Sequence, residues 1–387
     1  MNRAFSNLSH SVLTGCVLVL LGCSVTPVAA EICVRASNKV VSGKVVTSLA
    51  KVNRSGKCKK GEVAALTGPK GATGTAAADG QLRIYGDGSG GAKTVAANET
   101  FSDPIAMYTD VVINSGVTFT VPSGTVIRCS GSFVNNGTLL VQSGAPGGDA
   151  SSDTTTTIRP LLTPPHPGIS ARSPSTGESG NSTNARFGGE GGLGLSQFQA
   201  ALLRYPGPFA GGGGAGGFFV GGAGGGSLVV LCAGGITNNG VIRADGASGT
   251  GNGISGGGGG GGVIILASKT SVISAAASQL LARGGNGAGS GANAGTSGGG
   301  GGGIIHLIAP AVNATGATVS VTGGTAGNIS TVAMNLNLRS GGNGGGASGG
   351  SGGRGGSVLT SATDSTPAFD GQAGEIIYTL ADPTPLF

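Results

Sequence analysis

Between Asp110 and Gly144 the chain alternates short apolar, β-branched runs with turn dipeptides: VVIN-SG, VTFTVPSG, TVIRC-SG, SFVN-NG and TLLVQSG. Runs of about four residues closed by Ser-Gly or Asn-Gly read as strands followed by turns. Their spacing of six or seven residues is too short for a meander of ordinary hairpins. It matches the successive sides of a parallel β-solenoid, in which three sides make a turn of about twenty residues. Val111 and Ser132 begin equivalent sides 21 residues apart.

The same turn then recurs with glycine inserted. Gly226–Cys232 (GSLVVLC) parallels Gly262–Ala267 (GVIILA) and Gly303–Ile308 (GIIHLI), with a shorter echo at Ser357–Leu359 and a closing version at Glu375–Leu380. After each of the three fuller versions comes a second run, Val241–Ala244, Gln279–Ala282 or Thr318–Val321, and then a glycine-rich excursion. Repeats that vary mainly in one insertion point to a solenoid whose loops leave from one corner. The largest insertion, 145–226, opens on text rich in Thr, Ser and Pro, with Pro160, Pro164, Pro165 and Pro167, and carries one short helical pattern, Ser196–Arg204, ending before Pro206. The Cys129 and Cys232 runs both precede Asn-Asn-Gly by the same interval, which places the two cysteines on neighbouring turns, whereas counting from the preceding glycines slips them by one residue.

Composition sharpens this picture. The chain has 83 Gly in 387 residues and 10% charged residues, against about 7% Gly and 25% charge in an ordinary domain. Gly/Ser composition suits flexible linkers. Tracts that interrupt a repeating turn at one place would instead stack, and threefold extended chains without side chains can pack closely and hydrogen-bond laterally. Stretches such as AGGGGAGGFFVGGAGGGSLVVL and SGGGGGGGVIILAS resemble the glycine-rich solenoid proteins of bacterial surfaces and the polyglycine-helix bundles of some bacteriophage tail adhesins. That resemblance covers about residues 111–380, rests on composition, and implies surface architecture or adhesion without transferring any functional residue.

The N-terminal part reads differently. Residues 1–30 form an export signal, with Arg3 before the ten-residue apolar run Val12–Leu21. Leu20-Leu21-Gly22-Cys23 resembles a lipobox, which would make Cys23 a lipidation site, while Val28-Ala29-Ala30 suits ordinary signal peptidase. Residues 31–67 form a small basic two-Cys module, followed by a collagen-like remnant and linker over 68–100 that begins GPKGATG, and by the glycine-rich solenoid over 101–387. The module resembles a short unit near the N-terminus of many exported bacterial proteins. Of the six Cys, four remain after the signal; export to an oxidising compartment makes Cys33, Cys58, Cys129 and Cys232 disulfide candidates. Cys33 and Cys58 bracket one segment, and a loop of that size is worth about 3.5 kcal/mol.

The formal charge of +6 is concentrated there, with Arg35, Lys39, Lys44, Lys51, Arg54, Lys57, Lys59, Lys60 and Lys70 opposed by Glu31 and Glu62. The face suits acidic envelope polymer or phospholipid headgroups, or simply keeps the module soluble. No aromatic residue interleaves these cations before Tyr85, so nucleic-acid binding by stacking is not expected.

Catalytic chemistry is sparse in the sequence. Between Gly191 and Thr363 the one acidic residue is Asp245, which leaves no carboxylate pair for glycoside chemistry inside the repeats. Asp364, Asp370 and Glu375 cluster near the C-terminus and read as a solvated face. The glycine text lacks the acids of calcium-binding repeats and the Lys-Ser/Thr of a phosphate loop. His306 falls within a strand, aligned from the preceding glycines with Val230, Ile265, Tyr378 and Arg128 on an outer face.

The expectation is an all-β chain, a parallel β-solenoid with stacked glycine-rich loops behind a small disulfide module. It would be non-enzymatic, exported to the cell surface or the extracellular space, and structural or adhesive. No catalytic, cofactor or metal residue is assigned. Its partners would be cell-envelope polymer, a host surface or a polysaccharide, with no nucleic acid and membrane contact only through a lipid anchor. The alternatives are a secreted β-helix polysaccharide lyase or hydrolase and a carbohydrate-binding protein, the latter with few aromatic platforms.

Overall fold

The computed structural model describes residues 33–41, 44–49, 63–64, 79–102, 105–150, 161–180, 186–217, 219–251, 255–289, 295–328, 339–340, 342–358 and 365–387. The chain divides into two compact units, Met1–Ala76 and Ala77–Phe387. In the first, Cys33–Val41 pairs antiparallel with Lys44–Leu49 on one side and Val63–Ala64 on the other. The signal segment with Cys23, and Cys58, lie outside the described residues, as does the side chain of Cys33.

The second unit is built on three six-stranded parallel sheets. The first sheet stacks Lys93–Val95, Val111–Ile113, Phe133–Asn135, Ile236–Asn238, Ser271–Ser274 and Ala311–Asn313. The second stacks Glu99–Thr100, Thr118–Val121, Thr138–Val141, Val241–Arg243, Gln279–Leu281 and Thr318–Ser320. The third stacks Ile105–Tyr108, Thr125–Cys129, Ser227–Cys232, Val263–Ser268, Ile304–Ile308 and Glu375–Thr379. The chain visits first, second and third sheet in that order six times, an arrangement compatible with a parallel β-solenoid. Two strands expected to be linker, Lys93–Val95 and Glu99–Thr100, are the outermost members of their sheets.

Side-chain alternation explains why the sheets face one another. Along Thr125–Cys129 every second residue is buried, and the same holds for Thr118–Val121 and Phe133–Asn135, as period-two strands require. The inward residues, including Phe119, Phe133, Leu139, Ile242, Leu228 and Ile264, form one continuous core. Burying each such side chain stabilises by about 1.5–3 kcal/mol.

The third sheet departs from alternation from Ser227–Cys232 to Ile304–Ile308, where every residue is buried. A second apolar layer covers its outer face. It includes Ile84 and Tyr85 from the helix Asp79–Tyr85, Ala200 from the helix Gln197–Leu202, Ala210, and the C-terminal Leu386 and Phe387. Ser196 caps the second helix in a reciprocal capping box with Gln199, so the expected helical pattern forms and packs on the sheet. Tyr85 and Thr384 join the cover to itself through their hydroxyls at 3.0 Å. The continuous apolar runs LVVLC, VIILA and IIHLI carried this signal, since a parallel strand buried on both faces reads as an unbroken hydrophobic run.

Every glycine-rich excursion leaves from the same corner, between a strand of the second sheet and the next strand of the third. One assignment changes. Ser357–Val358, expected as a shortened repeat of the third-sheet strand, pairs antiparallel with Ser365–Thr366 and bridges to Arg186. It lies within the last excursion, and Glu375–Thr379 completes that passage instead. In sequence the apolar pair Val358-Leu359 follows Gly355-Gly356-Ser357, as the strands of the repeat follow their glycines, which is why it reads as a shortened copy.

Candidate functional site

The glycine tracts pack against each other in three directions. In the tract 256–262, Gly257 and Gly260 donate backbone hydrogen bonds to Ala215 and Gly212 at 2.8 Å each. Gly258 and Gly261 donate to Gly298 and Gly301 at 3.0 and 2.8 Å, and Gly259 and Gly262 to Ala247 and Ala244 at 2.9 and 2.8 Å. Residues three apart thus address the same neighbour, the signature of a threefold extended chain, which has no internal hydrogen bonds and turns its backbone groups outward. Carbonyls of the same tract accept from Gly222 and Gly225, from Gly285 and Ala288, and from Gly346. One tract is held by neighbours all around it, so the glycines are a lattice rather than loose loops.

Close approach explains why these positions have no side chain. A Cβ on Gly258 would strike the carbonyl of Gly285, and one on Gly300 the carbonyl of Gly259. The energetics are nearly balanced. Ordering a residue's backbone costs about 1–2 kcal/mol, and each backbone hydrogen bond returns a net 0.5–1.5 kcal/mol. The lattice therefore depends on the three-sheet core, which fixes both ends of every tract.

Polar side chains set register at two places. Inside the core, Asn135 Nδ2 donates to Asn238 Oδ1 at 2.8 Å and Asn238 Nδ2 to Ser274 Oγ at 3.2 Å, three fully or almost fully buried residues on consecutive turns. At one end of the lattice, Ser297 Oγ donates to the Ser255 carbonyl at 2.7 Å, and Asn343 Nδ2 donates to that carbonyl at 2.5 Å. Asn343 Oδ1 accepts from the Gly177 N–H at 3.1 Å.

Cys129 and Cys232 are register partners on adjacent third-sheet strands and stand as free buried thiols. Burial, together with the neighbouring Cys129, pushes the Cys232 thiol well above its ordinary range. The register follows the Asn-Asn-Gly turn, with Asn135 opposite Asn238. The slip counted from the preceding glycines is absorbed where the chain returns from the long insertion, as Gly124 donates to the Ser227 carbonyl at 3.0 Å.

His306 sits opposite Ile265 and Ile377, not Val230, Tyr378 or Arg128. It faces outward as alternation requires, but the second layer leaves it only 1% exposed. Nε2 pairs with Thr379 Oγ1 at 2.8 Å, and Nδ1 has no partner among the described residues. Burial, with a smaller contribution from Arg204, lowers its pKa to about 4, so the ring is neutral. His166 accepts from the Gly168 N–H through Nδ1 at 3.0 Å.

Asp245 is not an isolated carboxylate. Arg243 Nε and Arg283 Nη2 both donate to its Oδ2, at 2.7 and 2.8 Å, and the Arg283 backbone N–H donates to Oδ1 at 2.7 Å. The Asp245 side chain is 10% exposed and the arginines 49% and 40%. This trio lines an open groove of about 400 Å³ with Ser248, Asn286, Thr322 and Thr325, and Arg243 and Asp245 also line a second of about 640 Å³ that continues to Gln142 and Ser143. Of the C-terminal acids, Asp370 accepts from the Ala326 N–H at 2.6 Å, Glu375 lies in the third sheet opposite Ile304, and Asp364 falls outside the described residues.

Among the described residues, no three His, Cys, Asp or Glu side chains come together as metal ligands, and no helix is long and apolar enough to cross a membrane. Comparison with protein-family models, with curated proteins and with solved structures finds no match for the chain.

Proposed function

We propose that this is an exported, non-enzymatic structural or adhesive protein of the cell surface, whose rigid part is a β-solenoid carrying a lattice of stacked glycine loops. The observation that carries the reading is the three-directional hydrogen bonding of the tract 256–262. A large share of the chain is committed to a stiff, nearly uncharged slab, and such a slab serves shape and spacing rather than chemistry. The engagement of Asp245 by two arginines fits this reading, because a carboxylate so paired is a poor general acid or base. The N-terminal apolar run with its lipobox-like end would supply export, and the basic segment a contact with acidic envelope components.

Two experiments test the reading. Intact-cell labelling with an antibody against the glycine lattice should detect it on the outside, and retention in the cytoplasm with Met1 intact would refute export. Incubation with pectin, alginate and glycosaminoglycan should produce no new chain ends. Depolymerisation that is lost in Asp245→Asn would favour the polysaccharide-active alternative.

A further inference from the structure

The polar groove beside Asp245 has a regularity that a merely solvated corner would lack. The second-sheet ladder continues past its strands into the excursions. Gly246 and Gly249 donate to the carbonyls of Arg283 and Asn286, and Gly284 and Gly287 to those of Thr322 and Thr325, each at 2.8–2.9 Å. Asp245, Arg283 and Thr322 therefore form one column across three turns, and Ser248, Asn286 and Thr325 a second column beside it. The second column is itself tied together: the Asn286 N–H donates to Ser248 Oγ at 3.2 Å and the Thr325 N–H to Asn286 Oδ1 at 3.0 Å. Adjacent parallel strands are spaced about 4.8 Å apart, so hydroxyl, amide and guanidinium groups recur along the stacking axis at that interval.

The charges in the groove are arranged to be used. Asp245 holds Arg243 through Nε alone, leaving both of its Nη groups without a protein partner among the described residues. It takes Nε and Nη2 of Arg283 and leaves Nη1. Three guanidinium nitrogens thus remain available, in side chains already fixed by a mostly buried carboxylate. Such planar donors suit carboxylate or sulfate oxygens. The trio has a net charge of only +1, too little for the dense phosphates of a nucleic acid, and no aromatic ring lines the groove to stack a base.

From this we infer that the groove binds a linear acidic polysaccharide, with Arg243 and Arg283 taking its carboxylate or sulfate groups and Ser248, Asn286, Thr322 and Thr325 its hydroxyls. The inference deepens the adhesive reading above and rests on it for the absence of turnover.

The full-length chain is titrated with polygalacturonate, dextran sulfate, neutral dextran, polyglutamate and phosphatidylglycerol vesicles. Saturable binding to polygalacturonate or dextran sulfate is expected, the tighter of the two identifying the acidic group, with neutral dextran at least tenfold weaker. Arg243→Gln and Arg283→Gln should each weaken binding about tenfold. Arg243→Lys, which keeps the charge but loses the fork, should fall between Arg243→Gln and the unsubstituted chain. Arg243 is half-exposed and makes one side-chain bond, so an unchanged melting temperature shows that its variants remain folded. A triple variant of the N-terminal cations, Lys57, Lys59 and Lys60→Gln, should bind within threefold of the unsubstituted chain. Binding that ignores Arg243 and Arg283, that disappears with the triple lysine variant, or that is tightest for vesicles or polyglutamate would overturn the groove. Groove-dependent binding accompanied by chain cleavage would support the groove and contradict the non-enzymatic reading instead.

Discussion

Cys129 and Cys232 stand directly opposite one another on adjacent parallel strands of the third sheet, both completely buried, although the 145–226 insertion separates them in sequence. Strands at that spacing put Cα atoms about 4.8 Å apart, inside the range a disulfide spans. They are nevertheless free thiols in the structure, packed in the interior beside Ile127 and Val230. The folded chain should leave both unmodified by a maleimide, and unfolding in denaturant should expose two reactive thiols. Rapid labelling of Cys129 or Cys232 in the native chain, located by peptide mapping, would contradict their burial.

The Asn135–Asn238–Ser274 ladder should matter more than its few hydrogen bonds suggest. Replacing Asn238 by Ala leaves one N–H of the Asn135 amide unpaired in the core, while the Val241 carbonyl at 3.1 Å still holds the other, and a buried polar group so stranded costs about 1–3 kcal/mol. Equilibrium denaturation of Asn238→Ala should show a loss in that range. A change under about 0.5 kcal/mol would mean that the turns take their register from packing alone.

Glycine substitutions should sort by neighbour. Gly300→Ala places a methyl against the Gly259 carbonyl, backbone that cannot swing away, and overpacking of this kind costs about 1–3 kcal/mol. A Cβ at Gly235 meets the Ser271 hydroxyl at 3.3 Å and little else. Gly235→Ala should be neutral, or stabilise by about 0.4–1 kcal/mol through the unfolded state. Thermal melting of the two variants decides this, and similar shifts for both would contradict the close packing of the lattice.

His306 predicts the response to acid. Its folded pKa of about 4 lies below the ordinary 6.5 because the ring is buried, with Thr379 at Nε2 and Arg204 nearby. A group depressed in this way contributes full stability above pH 6.5. That contribution, roughly 3 kcal/mol, is lost as pH falls from 6.5 to 4. Denaturation midpoints across this window should fall in the native chain and fall less in His306→Gln, which keeps a donor for Thr379. Parallel curves would place the acid sensitivity elsewhere.

Much of this architecture is legible in the sequence, because a repeat writes its own register. The strand runs from Val111 to Val141 and the common corner of the excursions follow from spacing and turn residues, whereas the two counts for Cys129 and Cys232 disagree by one residue in the sequence and the fold adopts the one set by Asn-Asn-Gly. The second layer on the third sheet was harder to read, since helix Asp79–Tyr85 and the C-terminal Leu386 and Phe387 are far apart in sequence and cover the sheet only after folding. That layer turned His306 from an outward-facing position into a buried one. Ser357–Val358 is ambiguous in sequence because a short apolar run after glycine looks alike in a strand of the repeat and inside an excursion. The groove is not legible in the sequence because Arg243, Asp245 and Arg283 lie on two turns, and only the ladder brings them together.

The central claim is that the glycine tracts are one hydrogen-bonded solid. Amide hydrogen exchange of the full chain, resolved to residues 256–262 and 298–303, tests it directly. Protection of these glycines comparable to that of Val263–Ser268 is the result expected from the hydrogen bonds of Gly257 to Ala215, Gly258 to Gly298 and Gly259 to Ala247. Exchange at the rate of an unstructured Gly/Ser linker, while Val263–Ser268 remains protected, would contradict it.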